Sequence, residues 1–326
     1  MNKGEVVDVA PSGHAGYITA MKILAAMLAL MLMVHGALAC ANLSGSGTTL
    51  LGTQTGIVRP AVSEMIHFLA LNPHEDGVRL EASLRGSTNF NDRSDCAVAL
   101  MYLGRSTEAV ARLQELEAEK PGEYVIAANL GTALELSGDN AQALHWIKEG
   151  IRRNPDSHEG TEWLHVRILQ AKIAQQAEPD YFTKHSILEL QAEQIGETVV
   201  VGDKEMSWRE LGEAIRYQLK ERLQFVKPPD APVASLLFDY AAIEAATRTL
   251  ESAKGLLKLA QDYGYPAANI ERLNQIYDQR IAWRKTKQYT RNTLIGLAIG
   301  TMLVLLLRSL YKRGIFVLSS KDLKRA

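Results

Sequence analysis

The stretch ANLGTALELSGDNAQALHWIKEGIRRNP, residues Ala128 to Pro155, holds an apolar stripe, a Gly-Asp-Asn turn, a second apolar stripe and a closing proline. Moving back 34 residues (138 − 104) carries Gly138, Ala143, Ile147 and Pro155 onto Gly104, Ala109, Leu113 and Pro121. The upstream copy reads DCAVALMYLGRSTEAVARLQELEAEKP, Asp95 to Pro121. Four matches in kind at one offset predict a repeated helix–turn–helix unit. The physics of each position agrees. Gly104 and Gly138 stand where a first helix stops, because glycine accepts the left-handed geometry of a helix end. Ala109 and Ala143 are small where two helices cross closely, and Leu113 and Ile147 fill the gap between neighbouring pairs. Pro121 and Pro155 end the second helix by withholding a donor. One pair cannot bury its own apolar face, so the units must stack.

This pattern resembles the tetratricopeptide repeat (TPR) family over about residues 90–168. In the second copy Leu130, Gly131, Leu134, Ala143, Ile147, Gly150 and Pro155 occupy the family's apolar, small and proline places. The first copy departs from them with Cys96, Ala97 and Leu116, and Arg93 and Ala127 stand where the opening aromatic is usual. The resemblance implies an all-α solenoid that binds a protein or peptide partner along the concave face made by first helices. Carried over, that face is Ser94, Val98 and Met101, then Ala128, Thr132 and Glu135, then Glu159, Glu162 and Val166. Chaperone-binding members hold a C-terminal carboxylate there with lysine and asparagine. Ser94, Ala128, Val98 and Thr132 take those places here, so that clamp is not expected. A mildly acidic, partly apolar groove suits a neutral or basic segment. The competing reading is that these positions are solvated or covered by later helices.

The solenoid is expected over 60–191, with clear repeats at 90–123 and 124–157 and a partial third at 158–191. Upstream, Ala61 and Pro73 have the separation of Ala109 and Pro121, which suggests the second helix of a degenerate repeat, and Val78 to Gly86 supplies another helix. Downstream, Leu164 and Ile168 are in phase, but Lys172 stands where a glycine belongs. Residues 192–291 read as irregular helices. A loop with a short helix covers Ala177 to Gly196, TVVVGDKEM forms a strand-like turn, and Ser207 and Glu210 make a capping box opening a helix to about Val226. PPDAP, Pro228 to Pro232, breaks the chain. Helices follow at Val233 to Arg248 and Leu250 to Tyr263, and one long helix runs on from Pro266 without a breaker.

Both ends carry apolar segments. Met21 to Cys40 places a lysine before a twelve-residue apolar run, Ile23 to Val34, followed by Ala37 and Ala39 at signal-peptidase spacing. That run spans only about 18 Å as a helix, short of a bilayer core. Residues 1–39 are therefore read as an export signal, with translation starting at Met21, and 40–59, including GSGTTLLG, as a flexible linker. Cys40 leaves two readings open, lipid attachment and simple cleavage after Ala39. Near the other end Thr293 to Leu307 is a fifteen-residue uncharged run, and Asn292 to Tyr311 gives about 30 Å of helix if Arg308 reaches the interface. This predicts one transmembrane helix at 292–311 and a short basic tail at 312–326. Basic residues flank it on both sides, so charge alone does not orient it. Export would put the main domain in the periplasm or outside, with a cytoplasmic tail. Gly296 and Gly300 have the spacing that permits self-association of such helices.

A net charge of −1 lacks the basic excess of a nucleic-acid binder, so no nucleic acid is expected. Cys96 reads as a packed thiol, with Cys40 as its one possible disulfide partner. The most chemical stretch is HEGTEWLH, where His158, Glu162 and His165 fall at i, i+4 and i+7. Glu162-x-x-His165 has the spacing of carboxylate–histidine ligands in di-metal bundles, and Glu64-x-x-His67 repeats it. Two further carboxylates would be needed, so a packed, hydrogen-bonded histidine is favoured over a metal site. No phosphate loop, Cys-x-x-Cys pair or nucleophile elbow occurs. The expected function is a membrane-tethered adaptor of the cell envelope that needs no cofactor and is not an enzyme. The alternatives are an enzyme or metal protein using the His158–Glu162–His165 face, and a structural subunit of an envelope complex.

Overall fold

The computed structural model describes residues 61–190 and 198–314. The expected export signal, Cys40, the linker and most of the basic tail lie outside the described residues. The described chain is mostly helical, with twelve α-helices and one two-stranded hairpin, and falls into two units, 61–281 and 282–314.

Four helices carry the repeated pattern: α3 (Phe90–Tyr102), α4 (Ser106–Glu119), α5 (Tyr124–Ser137) and α6 (Asn140–Arg153). Their ends follow from local chemistry. Asn89 caps α3 by accepting from the Asn91 and Asp92 amides, and Asp139 caps α6 by accepting from Gln142. The first helix of each pair stops the same way. The Arg105 amide donates to Leu100 at 2.8 Å and Gly104 to Met101 at 3.0 Å; the Asp139 amide donates to Leu134 and Gly138 to Glu135, both at 3.0 Å. Gly104 (φ +74°) and Gly138 (φ +94°) supply the left-handed residue this ending requires. Ala109, Leu113, Ala143 and Ile147 are buried in one apolar core. A Cβ on Gly131 would sit 2.6 Å from Ile147 Cδ1, so the glycine is what lets α5 and α6 close.

Upstream the chain departs from the expected degenerate repeat. Pro73 does not close a helix; it opens α2 (Pro73–Leu84), where its missing N–H costs nothing. The preceding α1 (Ala61–Leu69) buries Ala61, Met65 and Phe68 in a second core, away from the repeats. Val62 reaches its place against α11 (Leu250–Asp262) because position 255 is glycine, where a Cβ would lie 2.7 Å from Val62.

The third repeat is a first helix only. α7 (Glu162–Ala177) sends Leu169 into the repeat core, while Leu164, Ile168 and Ala171 enter the second core. Among the described residues no second helix follows it and packs back in the manner of α4 and α6. The chain passes through α8 (Tyr181–Lys184) to the hairpin β1 (Thr198–Val201) and β2 (Lys204–Ser207). The Ser207–Glu210 capping box then opens α9 (Trp208–Phe225) with both reciprocal bonds present.

The second core closes on α10 (Ala231–Thr247), whose residues from Pro232 to Ala245 are all buried. Two of its polar groups hold the loop before the hairpin. Ser235 Oγ accepts from the Ile187 amide at 2.9 Å, and Asp239 Oδ2 from the Leu188 amide at 3.3 Å. α11 (Leu250–Asp262) ends like the repeats, with Tyr265 donating to Ala260 and Gly264 to Gln261, both at 2.9 Å. α12 (Ala267–Lys312) is a single helix of 46 residues. Its first turns bury Ile270, Leu273 and Tyr277 in the second core. Its later part holds a window of mean hydropathy 2.0, none of it buried, long and apolar enough to cross a membrane.

Candidate functional site

The first helices α3, α5 and α7 face a cleft that α9 closes from the other side. Its volume is about 140 Å³, and Val98, Met101, Tyr102, Thr132, Leu136 and Phe225 line it. The Phe225 ring stacks on Tyr102 with centroids 5.1 Å apart. α9 is placed there by its own sequence. Leu211, Ile215, Leu219 and Leu223 are fully buried in the second core, which leaves Gln218 and Arg222, one turn apart, turned toward the cleft.

The floor is a buried charge cluster centred on Glu135 of α5. His165 Nε2 lies 2.7 Å from Glu135 Oε2, Lys172 Nζ donates to Oε1 at 2.9 Å, and Arg222 donates to both oxygens at 2.6 and 3.2 Å. The Glu162 carboxylate continues the chain, 3.3 Å from His165 Nδ1 and bonded through its other oxygen to His158 Nδ1. The His158 ring stacks on Tyr217 of α9. Burial pushes the Glu135 carboxyl up, but Arg222, His165 and Lys172 outweigh it and hold the group well below the usual carboxylate range. Burial likewise opposes ionisation of Glu162, yet His158 and His165 bring it down to about 2. Burial lowers His165 while its two carboxylates raise it, with a net rise; His158 is raised chiefly by its bond to Glu162. The His165 ring is hydrogen-bonded to Glu135 through Nε2, while its Nδ1 lies at ion-pair distance from Glu162 Oε2, so carboxylates flank both nitrogens and favour the imidazolium.

Of the nine residues expected on the concave face, the cleft brings together Val98, Met101, Thr132, Glu135 and Glu162. Ser94 is buried within 3.5 Å of Asn129, Ala128 lies against Gly150, and Val166 is half-buried against the repeat core. Glu159 is exposed, in a turn where His158 (φ 51°) and Glu159 (φ 58°) are both left-handed. That turn, rather than one continuous helix, brings His158 to Glu162. The nitrogens and oxygens of His158, Glu162 and His165 point at one another, and among the described residues no group of three or more His, Cys, Asp or Glu is arranged to hold a metal ion. Glu64 pairs instead with Arg216 at 3.3 Å, and His67 is exposed.

Sequence reasoning missed Lys172, Tyr102, Gln218, Arg222 and Phe225. Lys172 carried a signal as the charged residue in a glycine's place, and its ammonium reaches back to Glu135. Arg222 carried one in being polar beside a continuous apolar stripe, but its partner lies 87 residues away.

Compared with family models, curated proteins and solved structures, the chain matches none.

Proposed function

We propose that the chain is a membrane-tethered adaptor, with a TPR-type array of helix pairs that grips a protein or peptide segment in the cleft between α3, α5, α7 and α9. α12 crosses the membrane in this reading, and the 61–281 unit works on the periplasmic or outer side. The observation that carries the proposal is the cleft itself. Its walls combine apolar and aromatic side chains with Asn129, Thr132, Gln218 and Glu221, while the Glu135 cluster on the floor is paired within itself, so it offers mixed contact area rather than a free reactive cluster. A short apolar or aromatic anchor flanked by polar residues fits such a surface. Tethering raises the local concentration of whatever it holds at the membrane.

In-cell crosslinking of the full-length chain, followed by mass spectrometry, tests this. Val98→Arg with Thr132→Arg alters two half-buried wall positions and leaves the charge floor in place. An envelope protein captured by the parent and lost from the variant is the expected result. A partner captured equally by both would remove the cleft from the proposal.

A further inference from the structure

The uncharged run of α12 is preceded by a segment of different character. Arg284, Lys285, Lys287 and Arg291 fall within nine residues (283–291), and no acidic residue occurs between Asp278 and Asp322. Lys285, Lys287 and Arg291 are exposed, as are Trp283 (58%) and Tyr289 (76%). Arg284, Lys287 and Arg291 follow i, i+3 and i+7, one stripe along the helix. The Lys287 ammonium lies over the Trp283 ring, 5.0 Å from its centroid. Counted from Thr293, Arg291 is about 3 Å and Lys287 about 9 Å up the helix axis, with Lys285 and Arg284 at about 12 and 14 Å.

We propose that this segment of α12 binds the headgroups of anionic phospholipids on the surface of the membrane the helix enters. The proposal rests on the membrane-spanning reading of α12. The apolar run must be covered by lipid, and the basic residues continue it without a break, two of them within roughly one Debye length of its edge. Tyr289, about 6 Å up the axis from Thr293, suits the headgroup level, where one end of the ring is wet and the other apolar. A stripe on one face also favours tilting the helix toward the bilayer on that side. Charge complementarity selects the lipid: four cations and no anion gain from a negative surface and nothing comparable from a zwitterionic one.

The test uses the full chain reconstituted in phosphatidylcholine vesicles, with or without a one-third share of phosphatidylglycerol. The reaction of Lys285 and Lys287 with an uncharged amine reagent is read by peptide mass spectrometry, with exposed Lys148 of α6 as the internal reference. Phosphatidylglycerol should slow the two juxtamembrane lysines about threefold or more relative to Lys148, high salt should abolish the effect, and Arg284→Gln with Arg291→Gln should weaken it. Equal relative rates in both vesicles overturn the proposal. So does protection found in native membranes but not in anionic vesicles, which would assign the stripe to an acidic protein. Alkaline extraction separates the two layers of the argument. A chain stripped from the vesicles defeats the membrane-spanning reading, whereas a retained chain with unchanged lysine rates defeats the lipid proposal alone.

Discussion

At Glu135 one buried carboxylate accepts from His165, Lys172 and Arg222, on two other helices. Such a cluster has little net worth against a well-packed apolar replacement, but removing one member strands the rest. Glu135→Leu should therefore cost about 3–5 kcal/mol in urea unfolding of the detergent-solubilised chain. Adding Arg222→Met should recover a good part of that loss, so the double variant should be more stable than the sum of the singles. A strictly additive pair would mean that the two charges do not depend on each other. The same residues set a pH response. His158 and His165 are raised in the fold, so their contribution is present below the ordinary histidine value and lost as pH rises through the folded one. Glu135 and Glu162 are depressed, so theirs is present above the ordinary carboxylate value and lost as pH falls. Asp239, which burial pushes up to about 7, also costs stability as pH rises toward that value. The cluster is thus at its strongest near about pH 5 to 6, between the two ordinary values. Unfolding midpoints measured across pH should fall on the alkaline side, and His165→Asn should make that fall shallower. An unchanged slope would show that His165 is not held charged.

Within the elements, close approach is bought by glycine at a few positions. Gly131→Ala would press a methyl onto the Ile147 side chain, with the Ile147 amide only 3.1 Å beyond. An overpacking loss of about 1–3 kcal/mol is expected, and Ile147→Val should relieve part of it by removing Cδ1. Thermal unfolding of the three variants checks this; a neutral Gly131→Ala would mean that α5 and α6 can part freely. Features of this kind were legible in the sequence. Gly104, Gly138, Ala143, the Ser207–Glu210 box and the prolines act on their immediate neighbours, so their type states their conformation. Pro73 shows the limit of such signals, since a proline that cannot continue a helix serves equally well as the first residue of the next. The partner of each apolar face was not legible. Leu164 and Ile168 keep the repeat phase yet face the second core, because phase specifies a face and not what covers it. Arg222 and Glu135 meet only because two such faces were assigned elsewhere.

For the whole molecule, α12 belongs to two environments. Its buried residues Ile270, Leu273 and Tyr277 precede Ala282, and the described residues from Ala282 to Gly314 are at most partly buried. A chain ending at Ile281 should keep the thermal midpoint of the parent and stay in solution without detergent. One ending at Pro266 should lose about 5 kcal/mol or more, the burial of three large side chains. If both truncations unfold alike, the later helix supports the domain in a way its exposure does not suggest. The second core also joins distant parts of the chain, for α1 lies against α11 although 181 residues (250 − 69) separate Leu69 from Leu250. Synthesis at about 5–20 residues per second opens an interval of roughly 9–36 s between them. The repeat pairs can close within that time, each needing only its neighbour, whereas Met65 and Phe68 have only the α9 side of their core until α11 is made. A nascent chain stalled before Leu250 is thus a ready client for a holding chaperone at its first helix, and one stalled after Ile281 is not.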